Sequence, residues 1–416
     1  MTRTAERLGA GRYIEAGTEP AATRTTLYQL STSDGATVPG VLRTIPGATT
    51  VVCIMHPRQD QTHHPLVSLL LHAGFAVWTQ FSRSVNNDLN LIHEQALLDV
   101  AAGQAFLRQH GFDDVVVLGH SGGGTLFAFY LQQGALKPAE RLSAAPSGRP
   151  VDLPGAEMPL PSAAVFLAPH PGQGALLMNC IDPSIADETD RLSVIEELDP
   201  FNPDNGFRPD PESSRYTAEF LTRYRAAQRA RMARIDEKAL GYTEQANAAR
   251  RRFRETGSAA DRRTSLAPRI ITVYRTDADP RTVDLSLDPN DRPYGSLFGR
   301  RPDLINYGLV GFGRLTTPDA WLSTWSGLRT NADFVRCAPG VTVPTQFIEL
   351  TGDQAAFPTD SARMFNALGT ADKTYERVRG LHFGGAIRPD EPTGNTVAAD
   401  RISAWLGDRF EAAPTP

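Results

Sequence analysis

Serine 121 lies in the stretch VVVLGHSGGGTLFAFY, residues 115–130, with glycines on both sides. A hydroxyl cleared of neighbours, between an aliphatic run and a helix-like stretch, suits three kinds of site. These are a phosphate cradle, a tight packing turn and an exposed nucleophile. No G-x-G-x-x-G fits the stretch, and no lysine follows the glycines as a Walker loop requires. Gly119-His120-Ser121-Gly122-Gly123 fits G-x-S-x-G instead. In that motif the serine occupies a strained strand-to-helix turn and stands exposed at the top of a sheet. In the packing-turn reading the same glycines only let two backbones pass closely.

A serine hydroxyl is weak at its free pKa and needs a base within hydrogen-bond reach. The chain has nine histidines. His382, in VRGLHFGG, follows the last expected strand and precedes the last expected helix. Loops at strand carboxyl ends gather over one face of a parallel sheet, as does the serine. The base in turn needs a carboxylate that fixes its tautomer and stabilises imidazolium. Asp353, in FIELTGDQAAFP, ends the preceding strand, although a turn or cap aspartate fits the same position. Asp360 reads as the cap of the helix that follows. Asp182 and Asp187 are the reserve acids.

These residues need elements to position them. TTLYQLST and ATVPGVLRTI read as a hairpin turning at Ser33-Asp34-Gly35. After it, short apolar strands alternate with helices: TTVVCIMH, HPLVSLLLHAG, FAVWTQFSR, LIHEQALLDVAAGQAFLRQHG, VVVLG, GGTLFAFYLQQ and SAAVFLAPH. Such alternation implies a parallel sheet covered on both faces. From about residue 173 to 338 the chain turns rich in Arg, Asp, Pro and Gly and holds one long helical stretch. Its buried stripe is expected at Phe220, Tyr224, Ala227 and Ile235. The sheet pattern returns at VTVPTQFIELTGD, PTDSARMFNAL and KTYERVRG and ends in the helix VAADRISAWLGDRF.

The elbow and its context resemble the α/β-hydrolase fold superfamily in its serine-nucleophile branch. The resemblance covers about residues 25–172 and 339–410. It implies an α/β fold: a mostly parallel central sheet flanked by helices, with a large, mainly helical cap inserted after the sixth strand. The core domain is then 1–172 and 339–416, and the cap 173–338. The implied triad order, nucleophile then acid then histidine, is Ser121, Asp353, His382. The oxyanion formed on attack needs preorganised N–H donors. Gly122 offers one. The loop after VVCIMH should supply the other, and many relatives begin it His-Gly. Here it reads His56-Pro57-Arg58, and proline has no N–H, so Arg58 is the donor candidate. The Arg58 side chain is also a candidate contact for a substrate carboxylate.

His56, His120 and His170 are further candidates for contact with substrate, although His120, at the variable position of the elbow, fits a packing role as well. Trp321 and Trp325, in TPDAWLSTWSGL, read as pocket walls or as core. His63-His64 with Asp60 invites a metal site, but adjacent histidines diverge in an extended chain and no third ligand has suitable spacing. No metal or cofactor is expected. The net charge of -5 gives no basic face for nucleic acid. The three cysteines, Cys53, Cys180 and Cys337, are far apart and read as buried, reduced thiols. No secretory h-region appears in MTRTAERLGAGRYIEAG, and LVSLLLHAGFAVW falls short of the ~20 apolar residues of a membrane span. A cytoplasmic enzyme is expected. The Arg-rich helix reads as a solvated or subunit-contacting face, consistent with a homodimer, or as a cationic gate. The activity expected is hydrolysis of an ester, lactone or thioester of a small or medium-sized molecule. C–C or amide hydrolysis by the same triad and a non-catalytic binding module are the alternatives.

Overall fold

The fold, a computed structural model, describes residues 17–414. All but the last residue of the N-terminal stretch examined for a secretory signal lies outside the described residues. A hairpin comes first, β1 (Arg24–Ser31) and β2 (Thr37–Thr44), turning where expected, with Gly35 at φ 82°. Alternation follows: β3 (Thr50–Met55), α1 (Leu66–His72), β4 (Ala76–Gln80), α2 (His93–Gln109), β5 (Asp114–His120), α3 (Gly122–Ala135) and β6 (Ala163–Leu167). The chain then leaves the sheet through α4 (Gln173–Cys180), α5 (Ala218–Thr256) and α6 (Ala259–Leu266). It continues through β7 (Ile271–Thr272), α7 (Pro302–Ile305), β8 (Leu315–Thr316), α8 (Pro318–Ala320) and α9 (Phe334–Cys337). β9 (Thr345–Gly352), α10 (Pro358–Ala367), β10 (Lys373–Leu381) and α11 (Gly394–Gly407) complete the chain.

The eight-stranded sheet runs β1-β2-β4-β3-β5-β6-β9-β10. β2 pairs antiparallel with β1 and with β4, and the other neighbours are parallel. This is the α/β-hydrolase architecture, interrupted after β6 by the large insertion. Continuous apolar strands are what a sheet buried on both faces demands, because side chains alternate between faces. Val51, Cys53 and Met55 of β3 pack with Val115 and Val117 of β5 and Phe166 of β6 on the side of α2 and α3. Val52, Ile54, Val116, Leu118 and Val165 fill the other side, beneath α1 and α11. Truncating a fully buried ring such as Phe166 costs about 3–5 kcal/mol.

The insertion has an apolar centre of its own, where Leu177 of α4 and Met232, Ile235 and Ala239 of α5 meet Trp321 and Trp325. Its last turn joins the main core, with Phe334 edge-on to Phe166 at 4.9 Å between ring centroids. α5 buries Phe220, Tyr224 and Ile235 as expected. Ala227 is only half-buried, and Gln228 and Arg231 occupy the stripe beside it. Arg231 is buried because its guanidinium forks onto Glu188 at 2.7 and 2.8 Å and donates to the Asp182 carbonyl at 2.6 Å. No helix among the described residues is long and apolar enough to cross a membrane. All three cysteines are buried and unpaired.

Candidate active site

Ser121 falls between the end of β5 and the start of α3, with φ 56° and ψ -123°. A non-glycine residue held in that region costs about 1–3 kcal/mol, which the surrounding packing must offset. The packing depends on glycine. A Cβ on Gly119 would lie 2.6 Å from the Gly124 backbone, and one on Gly123 would lie 2.4 Å from the Met55 carbonyl. The turn therefore closes directly against β3, and the serine hydroxyl is delivered to the carboxyl end of the sheet.

The carboxyl ends of β9 and β10 deliver the other two groups. His382 Nε2 lies 2.9 Å from Ser121 Oγ. His382 Nδ1 lies 2.8 and 2.9 Å from the two oxygens of Asp353. Asp353 Oδ1 also accepts the N–H groups of Ala355, at 2.6 Å, and Ala356, at 3.0 Å. That fixes the carboxylate, which can only accept. Nδ1 of His382 therefore carries the proton, and Nε2 presents a lone pair to the serine. Asp353 and His382 are each 1% exposed, so both bonds lie away from water. Three residues separated by up to 261 positions thus form one hydroxyl-imidazole-carboxylate chain, which is able to activate a serine. Asp182, the reserve acid, is committed to Ser184 and Asn306, and Asp187 caps an exposed turn at Thr189. Asp360 lies inside the first turn of α10 and pairs with Arg281 at 3.0 Å.

Four further histidines surround this chain. His120 Nε2 donates to the His382 carbonyl at 2.8 Å. Its Nδ1 is left to accept from His64 Nε2 at 2.9 Å, and His64 Nδ1 accepts the Leu66 N–H at 3.2 Å. The relay anchors the backbone of His382 to α1 and β5, so His120 and His64 hold in place the ring that faces Ser121. Burial, then the neighbouring His120, holds His64 well below the ordinary imidazole pKa. His56 and His170 are buried after β3 and β6. Burial pushes the His170 pKa down to about 3 and holds that of His56 well below the usual range. Both rings are neutral at pH 7.

A cavity of about 1230 Å³ opens onto Ser121. His56, Arg58, His120 and His170 line it, and so do His63 and His64. Leu176, Leu297, Phe298, Val310 and Phe312 from the insertion form its apolar wall. Trp321 and Trp325, read as pocket walls or as core, do not line it. Both face inward in the Trp321–Trp325 turn and are fully buried. Trp321 Nε1 donates to Asp236 at 2.7 Å, and Trp325 carries the Arg58 guanidinium 4.7 Å above its ring. The arginines of α5 contribute nothing to this cavity, which removes the support for a cationic gate.

Arg58 also departs from expectation. Its N–H donates to His56 Nδ1 at 3.0 Å, and its side chain forks onto Asp88 at 2.7 and 2.6 Å. Gly122 stands at the first position of α3, where an N–H has no partner within the helix. Sequence reasoning missed Gln173. It opens α4 just beyond β6, is 2% exposed, lines the cavity and makes no side-chain hydrogen bond of normal geometry. Only its place after a strand carboxyl end pointed to it.

The sequence matches no family model and no curated protein. The fold is similar to solved structures at low identity. DcsB, solved with a substrate analogue, is 12% identical with a TM-score of 0.49, covering 93% of this chain and 100% of that one. GrgF, an α/β hydrolase from Penicillium sp., is 12% identical with a TM-score of 0.48, covering 93% and 99%. The esterase domain of a Rhodothermus marinus protein is 10% identical with a TM-score of 0.41, covering 92% and 98%. Likenesses of this size describe chain shape and carry no information on what this protein acts on.

Proposed function

We propose that this α/β-hydrolase-fold protein is a serine hydrolase that cleaves a carboxylic ester, lactone or thioester. The observation that carries the proposal is the Ser121-His382-Asp353 chain, with contacts of 2.9 and 2.8 Å, whose serine and histidine line the cavity. Ser121 Oγ attacks the substrate carbonyl as His382 Nε2 takes its proton. Asp353 stabilises the imidazolium, and the Gly122 N–H holds the developing oxyanion. His382 returns the proton to the leaving oxygen or sulfur, which departs and leaves an acyl-serine. A water, deprotonated by His382, then releases the acid and restores Ser121.

A cavity of about 1230 Å³ suits a small or medium-sized molecule. Its apolar wall of leucine, valine and phenylalanine suits an aliphatic or aromatic portion of that molecule. An ester is favoured over an amide because an alkoxide leaves more readily than an amine. The test is a panel of p-nitrophenyl esters of graded chain length, with lactones, thioesters, a β-diketone and anilides, run beside Ser121→Ala. Ester turnover that disappears in the variant supports the proposal. Equal turnover by the variant ends it, and turnover confined to the anilides or the β-diketone reassigns the bond.

A further inference from the structure

We infer that the second oxyanion donor at Ser121 is a side chain, the Nε2–H of His56, acting beside the backbone N–H of Gly122. The inference rests on the hydrolase reading above and adds to it a residue that touches the reacting oxygen. The loop after β3 is where a second backbone donor was expected, and its N–H groups are engaged elsewhere. Pro57 has none. Those of Arg58 and Gln59 both turn back onto His56 Nδ1, each at 3.0 Å. A ring nitrogen that accepts two N–H bonds carries no proton, so in the neutral ring the proton resides on Nε2. The loop thus passes its donor capacity through the imidazole to the ring's far side.

That side faces the nucleophile turn. A Cβ added to Gly122 would lie 2.8 Å from His56 Nε2. A Cβ and its own backbone nitrogen are roughly 2.5 Å apart. Nε2 and the Gly122 nitrogen are therefore separated by at most roughly 5.3 Å, which one oxygen can bridge with two N–H···O bonds of about 2.9 Å. His56 is 4% exposed and lines the cavity beside Ser121. The donor is fixed before substrate arrives and does not reorganise as charge develops, which makes such groups effective. It gives a hydrogen bond and no proton, since the serine proton goes to His382. Glycine at position 122 leaves the space in which imidazole and oxyanion meet. His170 Nδ1 accepts the Gly172 N–H at 3.1 Å, so His170 Nε2 is also a donor, and it lies 3.1 Å from the same Cβ position. His56 is the nearer ring and belongs to the loop whose backbone donors are engaged.

His56→Asn tests the role. The asparagine oxygen can stand near Nδ1 and still accept the Arg58 and Gln59 N–H groups, but nothing replaces Nε2–H. We expect kcat/KM on the best ester of the panel to fall ~10²–10³-fold. Affinity for a trifluoromethyl ketone, which forms an oxyanionic adduct with Ser121, should fall by a similar factor. His56→Gln, whose amide nitrogen reaches the Nε2 position, should recover at least about tenfold over asparagine. In the unmodified protein labelled with ¹⁵N-histidine, forming the ketone adduct should move an Nε2–H resonance besides any from His382. An asparagine variant within about threefold of the parent in both assays overturns the inference, as does a ketone adduct that leaves every other imidazole N–H in place. The same loss produced by His170→Asn, with His56→Asn unaffected, reassigns the donor and also overturns it. A parent that is never labelled at Ser121 by a fluorophosphonate fails at the hydrolase reading itself, whereas labelling with an unaffected His56→Asn fails only here.

Discussion

Replacing Asp353 by asparagine changes one atom and should reverse the direction of the whole hydrogen-bond chain. The oxygen at Oδ1 is pinned by the N–H groups of Ala355 and Ala356 at 2.6 and 3.0 Å, so it stays an oxygen in the variant. The amide nitrogen must then take the place of Oδ2, the nearer oxygen at 2.8 Å from His382 Nδ1, while Oδ1, at 2.9 Å, already has two N–H groups on its lone pairs. Two donors cannot face each other at that distance in a pocket where both residues are 1% exposed. The ring moves its proton to Nε2, which then faces Ser121 Oγ as a donor and cannot accept the serine proton. The expected loss in kcat is about 10⁴-fold, or roughly 5.5 kcal/mol of transition-state stabilisation. Stability should change little, since the variant keeps both turn bonds and removes a buried charge. Asp353→Ala leaves the two N–H groups and the ring unpaired and should also cost about 2–4 kcal/mol of folding free energy. The assay is steady-state hydrolysis of a p-nitrophenyl ester beside urea unfolding of all three proteins. An asparagine variant that folds normally and keeps kcat within tenfold of the parent would refute the tautomer argument.

Gly122→Ala places a methyl 2.3 Å from Gln173 Nε2 and 2.8 Å from His56 Nε2, so kcat/KM should drop at least ~10²-fold while overpacking costs about 1–3 kcal/mol; kinetics and urea melts on one preparation check both. Asp277 is buried with only the Ser296 hydroxyl donating to its carboxylate, and desolvation pushes its pKa up to about 7. Its folded state therefore holds a proton that the unfolded chain releases above the ordinary pKa near 4. The stabilisation from Asp277 is complete below that pKa and is lost as pH rises towards and through about 7. Relative to parent, Asp277→Asn should gain stability by on the order of 4 kcal/mol between pH 4 and 8. A difference that stays flat with pH in urea melts contradicts this. Asp236→Ala strands the buried Trp321 indole N–H and Ser326 hydroxyl, now bonded at 2.7 and 2.8 Å, and should cost about 2–5 kcal/mol by denaturant titration.

The sheet was legible because its strands have little alternative use. Runs such as TVVCIM and VVVLG carry apolar residues at every position and so must be covered on both faces. Once they alternate with helices, a parallel sheet places each loop after a strand on one end. Ser121, Asp353 and His382 follow from that rule, because each stands just beyond a strand's carboxyl terminus. The proposed oxyanion donor was not legible, for a reason of direction. Proline 57 shows that one N–H is missing, but no pattern tells where its neighbours point. Only coordinates reveal that the Arg58 and Gln59 N–H groups turn inward to His56 Nδ1. For the same reason the sequence shows only substrate contact or packing for His120 and no role for His64, whereas the ring nitrogens of both form the relay that holds the His382 backbone.

The insertion was harder to read because its order depends on groups that periodicity counts as surface. The buried stripe of α5 contains Gln228, Arg231 and Asp236, all within 2% of full burial. Each is there because partners from distant segments meet it: the Asn179 and Ile181 carbonyls for Gln228, Glu188 for Arg231, Trp321 and Ser326 for Asp236. An amphipathic pattern records side-chain polarity and cannot record a partner about ninety residues away, so it assigned this face to Ala227 and left the polar residues to solvent. The tryptophans were open to two readings, pocket wall or core, and their full burial decides for the core. The Trp321 indole N–H meets the buried Asp236 carboxylate, which satisfies it in the core, and Trp325 is fully buried with the Arg58 guanidinium over its ring. The cavity wall fell instead to Leu297, Phe298, Val310 and Phe312 in the loops. These loop residues line the cavity onto which Ser121 opens, and Phe312 carries the Arg58 guanidinium 5.9 Å over its ring. Substrate selectivity should therefore respond to changes at these four positions, whereas changes along α5 should act through stability.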